Sequence, residues 1–241
     1  MLDIIGALAI GALLATVMVV LTELTSISRR TRLLVVSGAA LWSAAMIAVA
    51  AAGGFELRLA GPVPGVAYPL VFTLVVGIAA WSQSPRLREI VLRIPLSALI
   101  AVNIARVIGV FFVILYAVGR LPAAFAQSAG FGDIIVGVLA LPLAIAASFD
   151  TAPRSLIAAW NALGIADLII ALSLGVLSAA GTPFRVFTAG PDSGATIGAL
   201  PWAIIPTLLV PLYLLIHFGI AAKLRAARTA PSRSTFRAAT T

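Results

Sequence analysis

The sequence contains no cysteine and only one histidine, and each shortage excludes a class of chemistry. Without cysteine the chain has no disulfide framework, thiolate metal site, iron–sulfur cluster or cysteine nucleophile. A single histidine cannot supply the several ligands of a zinc site, so we expect no bound metal. The glycine motifs that bind nucleotides are missing, as are the signatures of zinc proteases and serine hydrolases. The sequence therefore gives little support for an enzyme.

Charged residues are also scarce, and this shortage indicates the solvent in which the chain folds. Only 10% of the 241 residues are charged, whereas 62% are hydrophobic. Soluble domains contain roughly 25% charged and 45–50% apolar residues, because a globule must cover its outside with polar groups. We therefore predict an integral membrane protein whose main partner is the lipid bilayer. The formal net charge of +8 is attributed to topology signals and contacts with anionic lipids, and not to nucleic-acid binding.

The apolar stretches predict an all-α, polytopic transmembrane helical bundle that forms one domain over residues 1–225. A hydrocarbon core about 30 Å thick needs about 20 apolar residues per helix. Seven stretches meet this requirement, near residues 4–22, 33–53, 64–82, 95–118, 129–149, 155–179 and 199–222. The third is the shortest, so the alternative is six helices and a re-entrant segment. The small, polar and basic segment 226–241 is predicted to be a disordered tail.

Two further features of the sequence predict how the chain lies in the membrane. Ser84 and Pro85 are typical of a helix start, and they predict a short helix on the membrane surface. Basic residues prefer the cytoplasmic side, and alternate connections carry twelve on one side against three on the other. The twelve are Arg29, Arg30, Arg32, Arg86, Arg88, Arg93, Arg154, Lys223, Arg225, Arg228, Arg233 and Arg237, and the three are Arg58, Arg120 and Arg185. We therefore expect an external N-terminus and a cytoplasmic C-terminus.

Six charged or strongly polar residues stand out within the predicted helices, all of them in the last four. A charged group at the centre of a membrane helix costs on the order of 2.5–3.5 kcal/mol, so each such group needs a partner or a function. These candidate substrate-binding residues are Asn103, Arg106, Asp133, Asn161, Asp167 and His217. No catalytic residue is assigned among them.

Helix rise predicts how two of the candidates meet. Arg106 and Asp167 lie about 16 and 18 Å above the cytoplasmic ends of their helices, close to the midplane, which makes an ion pair between them easy. Asn103 precedes Arg106 by three residues on the same helix face, and we expect its amide to support the guanidinium.

The remaining candidates are predicted to form two other layers. Asn161 and His217 lie nearer the cytoplasm and are expected to share a hydrogen bond. Asp133 follows the predicted start of the fifth helix, which places it near the external boundary with Arg120 and Tyr116. The last helix carries three prolines, and interior prolines free carbonyl groups that only protein or a wet cavity can satisfy.

These polar groups allow several functions. The leading hypothesis is a site for transport or binding of a small molecule or ion between the last four helices. One alternative is a ligand-sensing or partner-assembling membrane subunit, and another is an intramembrane enzyme or haem protein with His217 as an axial ligand. The groups could also serve only as interhelical hydrogen bonds that fix the packing. We expect no cofactor other than haem, and we predict no particular oligomeric state.

Three stretches of the chain resemble a group of bacterial polytopic membrane proteins that are described only as uncharacterised. The first runs from Gly119-Arg120-Leu121-Pro122 through Phe125-Ala126 to Ala129-Gly130-Phe131-Gly132-Asp133. The second is Trp160-Asn161 with Gly164 and Asp167-Leu168, and the third is Leu200-Pro201 through Pro206 and Pro211 to His217. The resemblance covers roughly residues 100–220. It implies the bacterial cytoplasmic membrane as the location, and it implies no substrate or reaction.

Overall fold

The computed structural model describes residues 1–25, 27–55 and 63–229, and in these ranges the chain is helical without any strand. Its α-helices are α1 (Leu2–Glu23), α2 (Arg29–Ala51), α3 (Ala67–Gln83), α4 (Pro85–Arg93), α5 (Leu96–Ala101), α6 (Val110–Ala117), α7 (Ala123–Ser148), α8 (Arg154–Ser178), α9 (Ser193–Ile197) and α10 (Val210–Thr229). A 3₁₀ segment, Val102–Gly109, joins α5 to α6, and a π-helical segment, Ile205–Leu209, leads into α10. The all-α polytopic bundle predicted from composition is confirmed.

Six helices in the described ranges are long and apolar enough to cross a membrane. They are α1, α2, the continuous run Leu96–Ala117, α7, α8 and Ile205–Arg228. A seventh crossing requires α3 and α4 to count together, and these two helices meet at a bend of 101°. With 17 residues, α3 alone is about 25 Å long, near the lower limit for a hydrocarbon core.

The bend between α3 and α4 has a local cause in the sequence. The side chain of Ser84 accepts a hydrogen bond from the amide of Leu87, and Pro85 occupies the first turn of α4. This is the N-cap arrangement that satisfies a free amide and starts a new helix in a new direction. The separate short helix predicted from these two residues is therefore present.

At the centre of the bundle lies α7, which packs against the 3₁₀ segment, α8, α5 and α6. The last helix, α10, packs against α8, α3 and α5. By contrast α1 and α2 bury few residues, and large apolar side chains such as Leu8 and Leu41 are exposed. In a bilayer such side chains face lipid at no cost, because lipid chains are as apolar as they are. The polar residues singled out above all belong to the buried half of the molecule.

Two helix boundaries differ from the prediction, and both differences change the depth of candidate residues. The helix predicted to start near residue 129 starts at Ala123, directly after Pro122. The last helix was predicted over 199–222, but it starts with the π-helical segment and continues to Thr229. Hence residues 226–229 of the predicted tail are helical, whereas 230–241 lie outside the described residues. Arg58, Arg233 and Arg237, which the charge count uses, also lie outside them.

Candidate functional site

The guanidinium of Arg106 is the centre of a buried polar cluster. Arg106 lies in the 3₁₀ segment and only 1% of its surface is exposed. Its Nε donates to Asp133 Oδ1 at 2.7 Å, and its Nη2 donates to Asp167 Oδ2. Its Nη1 contacts the carbonyl oxygen of Gly164 at 3.3 Å and Nε2 of His217 at 3.1 Å. One side chain thus joins α7, α8 and α10. We call Arg106, Asp133, Asp167 and His217 the Arg106 cluster.

The ion pair between Arg106 and Asp167 that the helix rise predicts is present, but the position predicted for Asp133 is wrong. Asp133 was placed in an external layer with Arg120 and Tyr116. Because α7 starts at Ala123, Asp133 lies ten residues into the helix, about 15 Å deep, where it pairs with Arg106. Arg120 instead donates to Asp3 on α1 at 2.7 Å.

His217 joins the cluster to a second polar residue. Its Nδ1 lies 2.9 Å from Asn161 Oδ1, the hydrogen bond predicted from their depths. A guanidinium can only donate, so Nε2 of His217 accepts from Arg106, and Nδ1 must carry the proton that it donates to Asn161. The imidazole is therefore neutral in this arrangement. Both ring nitrogens are engaged, and a haem iron at His217 would have to replace one of these bonds.

Asn103 does not support the guanidinium as predicted. Its Nδ2 donates to the carbonyl oxygen of Leu99 at 2.9 Å, and its Oδ1 is buried without a hydrogen-bond partner. The prediction assumed α-helical geometry between Asn103 and Arg106. The chain is instead a 3₁₀ helix from Val102, in which residues three apart still share a face, and the amide of Asn103 is bound to the preceding turn of its own helix.

Four residues that the sequence analysis did not assign to the site also shape it. The ring of Tyr213 lies 5.8 Å from the guanidinium carbon of Arg106, within the range of a cation–π contact. The indole of Trp160 lies 5.5 Å from the imidazole of His217 and donates to the carbonyl oxygen of Val136. Tyr213 precedes His217 by four residues on α10, and this spacing was the available signal, since such residues share a helix face.

The other two are glycines at which neighbouring groups approach very closely. A Cβ atom on Gly132 would overlap the carboxylate of Asp167, and one on Gly164 would overlap the imidazole of His217. Any other residue at these positions would displace a member of the cluster. Both glycines belong to the stretches that carry the resemblance described above, and the close approach gives a physical reason for their presence there.

An internal cavity of about 400 Å³ reaches the cluster from one end of the bundle. It lies where α7 begins and α8 ends, and the connection between α8 and α9 borders it. Asp133 is part of its wall, together with mostly apolar residues that include Phe112, Phe125 and Leu172. The side chain of Asp133 is 14% exposed, compared with 1% for Arg106. This volume is typical of small-molecule sites.

A groove of about 840 Å³ lies at the opposite end of the bundle. The ends of α7 and α10, the start of α8 and the junction of α4 with α5 border it. Its wall includes Ile157, and Asn161 lies one turn further along α8, hydrogen-bonded to the cluster. The cluster is therefore located between two openings, with about one helical turn of packed side chains on the side of the groove.

A comparison with protein families identifies the part of the chain that contains the cluster. Residues 63–225 match the family described as a domain of unknown function, DUF8737, and the chain belongs to that family. The matched region begins before α3 and contains every member of the Arg106 cluster. No curated protein and no solved structure gave a match. The fold and the family define a polytopic helical membrane protein of unknown function.

Proposed function

We propose that this protein transports a small molecule or ion, with the Arg106 cluster as the site at which the solute or its coupling ion binds. The observation that carries the proposal is the position of Asp133. Its carboxylate pairs with a buried arginine on one side and forms part of the wall of a 400 Å³ cavity on the other. A buried ion pair that served only to hold helices together would not require such a cavity.

The charge of the cluster supports the same conclusion. Asp133 and Asp167 together carry two negative charges when ionised, Arg106 carries one positive charge, and the imidazole of His217 is neutral. One negative charge therefore remains at membrane depth, where uncompensated charge is costly. The cluster is electrically balanced when it holds one additional proton or cation. A site that holds either one is suited to coupling the movement of a solute to that of a proton.

The backbone around the cluster also resembles a transport site. Arg106 lies in the 3₁₀ segment, and Ile205 and Pro206 of the π-helical segment form part of the cavity wall. Such irregular segments inside long helices often mark functional positions and hinges. In many transporters, interrupted helices surround the substrate near the midplane. The cavity reaches the cluster from one end of the bundle, and the groove at the other end lies about one helical turn from it, as expected of a site that opens to one side at a time.

The test is electrical recording from proteoliposomes adsorbed on a solid support, after addition of a panel of cationic, anionic, zwitterionic and neutral solutes. At least one solute should produce a charge displacement in the wild type, and Asp133→Asn and Asp167→Asn should abolish it. Glu23→Gln is the matched control, because Glu23 lies exposed at the end of α1, pairs there with Arg32 and lines neither the cavity nor the groove. If both cluster variants retain the full signal, the cluster is not the transport site.

We further propose that the chain lies in a bacterial cytoplasmic membrane with its N-terminus outside and its C-terminus inside. The asymmetry of basic residues supports this orientation, and the cavity at the end where α7 begins would then open toward the exterior. Fusions of alkaline phosphatase and green fluorescent protein to the C-terminus test it. Fluorescence without phosphatase activity is expected, and the reverse result would place the C-terminus outside and contradict the proposed orientation.

A further inference from the structure

The wall of the 400 Å³ cavity combines apolar and aromatic residues with carboxylates. Phe55, Phe112 and Phe125 contribute aromatic rings, and Phe112 contacts Phe125 with a centroid distance of 5.5 Å. The acidic residues in the described part of the wall are Asp133 and Asp192. Among the described residues, no lysine, arginine or histidine lines the cavity. The described part of the wall therefore presents carboxylates among side chains that are mostly hydrophobic.

In both carboxylates Oδ1 makes the hydrogen bonds within the described residues and Oδ2 makes none, so they differ in the charge of their partners and not in free oxygen atoms. Oδ1 of Asp192 accepts hydrogen bonds from the amides of Ala180 and Gly194, at 2.7 and 2.9 Å, so this side chain organises the connection at the cavity mouth. Asp133 makes its hydrogen bond with Arg106 through Oδ1 alone. Its second oxygen is free to accept from a ligand, and it belongs to the cluster that has one negative charge in excess.

The position of Arg106 argues against an anionic ligand. Its guanidinium is almost fully buried and already donates to two carboxylates, a carbonyl oxygen and an imidazole nitrogen. An anion in the cavity would approach Asp133 before it reached Arg106, and like charges at close range disfavour binding. A cation in the cavity would instead be attracted by the carboxylate of Asp133, and the wall contains aromatic rings of the kind that bind cations.

From this arrangement we propose that the cavity binds an organic cation, an amine or quaternary ammonium group attached to an apolar body. The cationic group takes the place of the proton that otherwise balances the Arg106 cluster and lies against Asp133, while the body fills the apolar part of the cavity. The inference rests on the proposed transport function, since it assigns the substrate class of the same site.

The test uses three probes of nearly equal shape and different charge. Benzyltrimethylammonium is the cation, neopentylbenzene is its neutral carbon isostere, and phenylmethanesulfonate is an anion of similar size. Each is radiolabelled, and binding to the full chain in nanodiscs is measured by equilibrium dialysis, with empty nanodiscs subtracted. We expect the cation to bind at least about tenfold more tightly than either other probe, because loss of one good charge contact commonly costs a factor of this order.

The variants separate a specific contact from loss of folding. Asp133→Asn should weaken binding of the cation at least about tenfold, while Asp133→Glu, which keeps the charge, and the control Glu23→Gln should retain most of it. Size-exclusion chromatography of each variant checks that it is folded. Equal binding of the cation and neopentylbenzene, or an unchanged affinity in folded Asp133→Asn, would overturn the proposal.

The same measurements distinguish failure of this inference from failure of the proposed function. If the neutral or anionic probe binds best, and the solute panel still produces charge displacement that depends on Asp133, the substrate class is wrong and the transport site stands. If no probe binds and no solute produces a signal, both proposals fail. Cation binding that requires the charge at Asp133 supports both.

Discussion

Replacement of Arg106 by leucine tests how the buried cluster contributes to stability. Leucine keeps an apolar side chain in the 3₁₀ segment, but it removes the partner of Asp133, Asp167 and His217 together. Loss of one member of a buried ion pair typically costs about 3–5 kcal/mol, because the remaining charge is left unpaired. For a domain of this size, that corresponds to a decrease in Tm of roughly 6–20 °C.

The control for this experiment is Arg93→Leu. Arg93 forms an ion pair with Glu89 on α4, and both side chains are mostly exposed, at 66% and 60%. Surface pairs of this kind contribute about 0–1 kcal/mol, so the Tm should change by less than about 4 °C. The two substitutions are chemically identical and differ in the burial of the pair that they break.

A combined variant separates the charge effect from loss of packing. In Arg106→Leu with Asp133→Asn and Asp167→Asn, no buried carboxylate is left unpaired, and we expect recovery of at least half of the lost Tm. Thermal unfolding in detergent, followed by intrinsic tryptophan fluorescence and by size-exclusion chromatography after heating, supplies the measurement. If Arg106→Leu unfolds at the wild-type temperature, the cluster does not stabilise the bundle and the reasoning from buried charge is refuted.

Two other substitutions have defined outcomes. Gly132→Ala should lower the Tm and abolish binding of benzyltrimethylammonium, since the new Cβ displaces the carboxylate of Asp167. Gly11→Ala on α1, whose Cβ would contact nothing within 4 Å, should neither lower the Tm nor weaken binding, and equal behaviour of the two variants would contradict the geometry. Asp3→Ala removes the acceptor of the hydrogen bond from the indole N–H of Trp202, at 2.8 Å. The free energy of unfolding from denaturant titrations should therefore fall by about 1–3 kcal/mol. An unchanged midpoint would show that this contact does not hold α1 in the bundle.

Much of the architecture could be predicted from the sequence, because hydrocarbon thickness dictates the length of apolar stretches. The pairing of Arg106 with Asp167 and that of Asn161 with His217 were also accessible, since helix rise converts sequence position into depth. The same conversion gave a wrong depth for Asp133, because the predicted start of α7 was six residues too late and each residue corresponds to about 1.5 Å, or about 9 Å in total.

Other features have no signal in an apolar pattern. A 3₁₀ and an α-helical stretch of Val, Ile and Ala residues look alike in sequence, so the change of geometry at Val102 could not be anticipated. The cavity could not be predicted either, because it depends on how the ends of α7, α8 and α10 meet. The excess of one carboxylate became visible only when the structure brought Asp133 to Arg106.

The spacing of the cluster along the chain has a consequence for how the protein is made. Arg106 and Asp133 are separated by 27 residues, whereas 111 residues separate Arg106 from His217. During synthesis, the segments that contain the first two emerge from the ribosome as neighbours, long before α10 exists. If the two segments enter the bilayer as a helical hairpin, Asp133 pairs with Arg106 during insertion. The charge of Arg106 is then compensated before the C-terminal half of the chain is made. The pair closest in sequence thus lowers the cost of inserting a charged residue into the bilayer before the complete site is assembled.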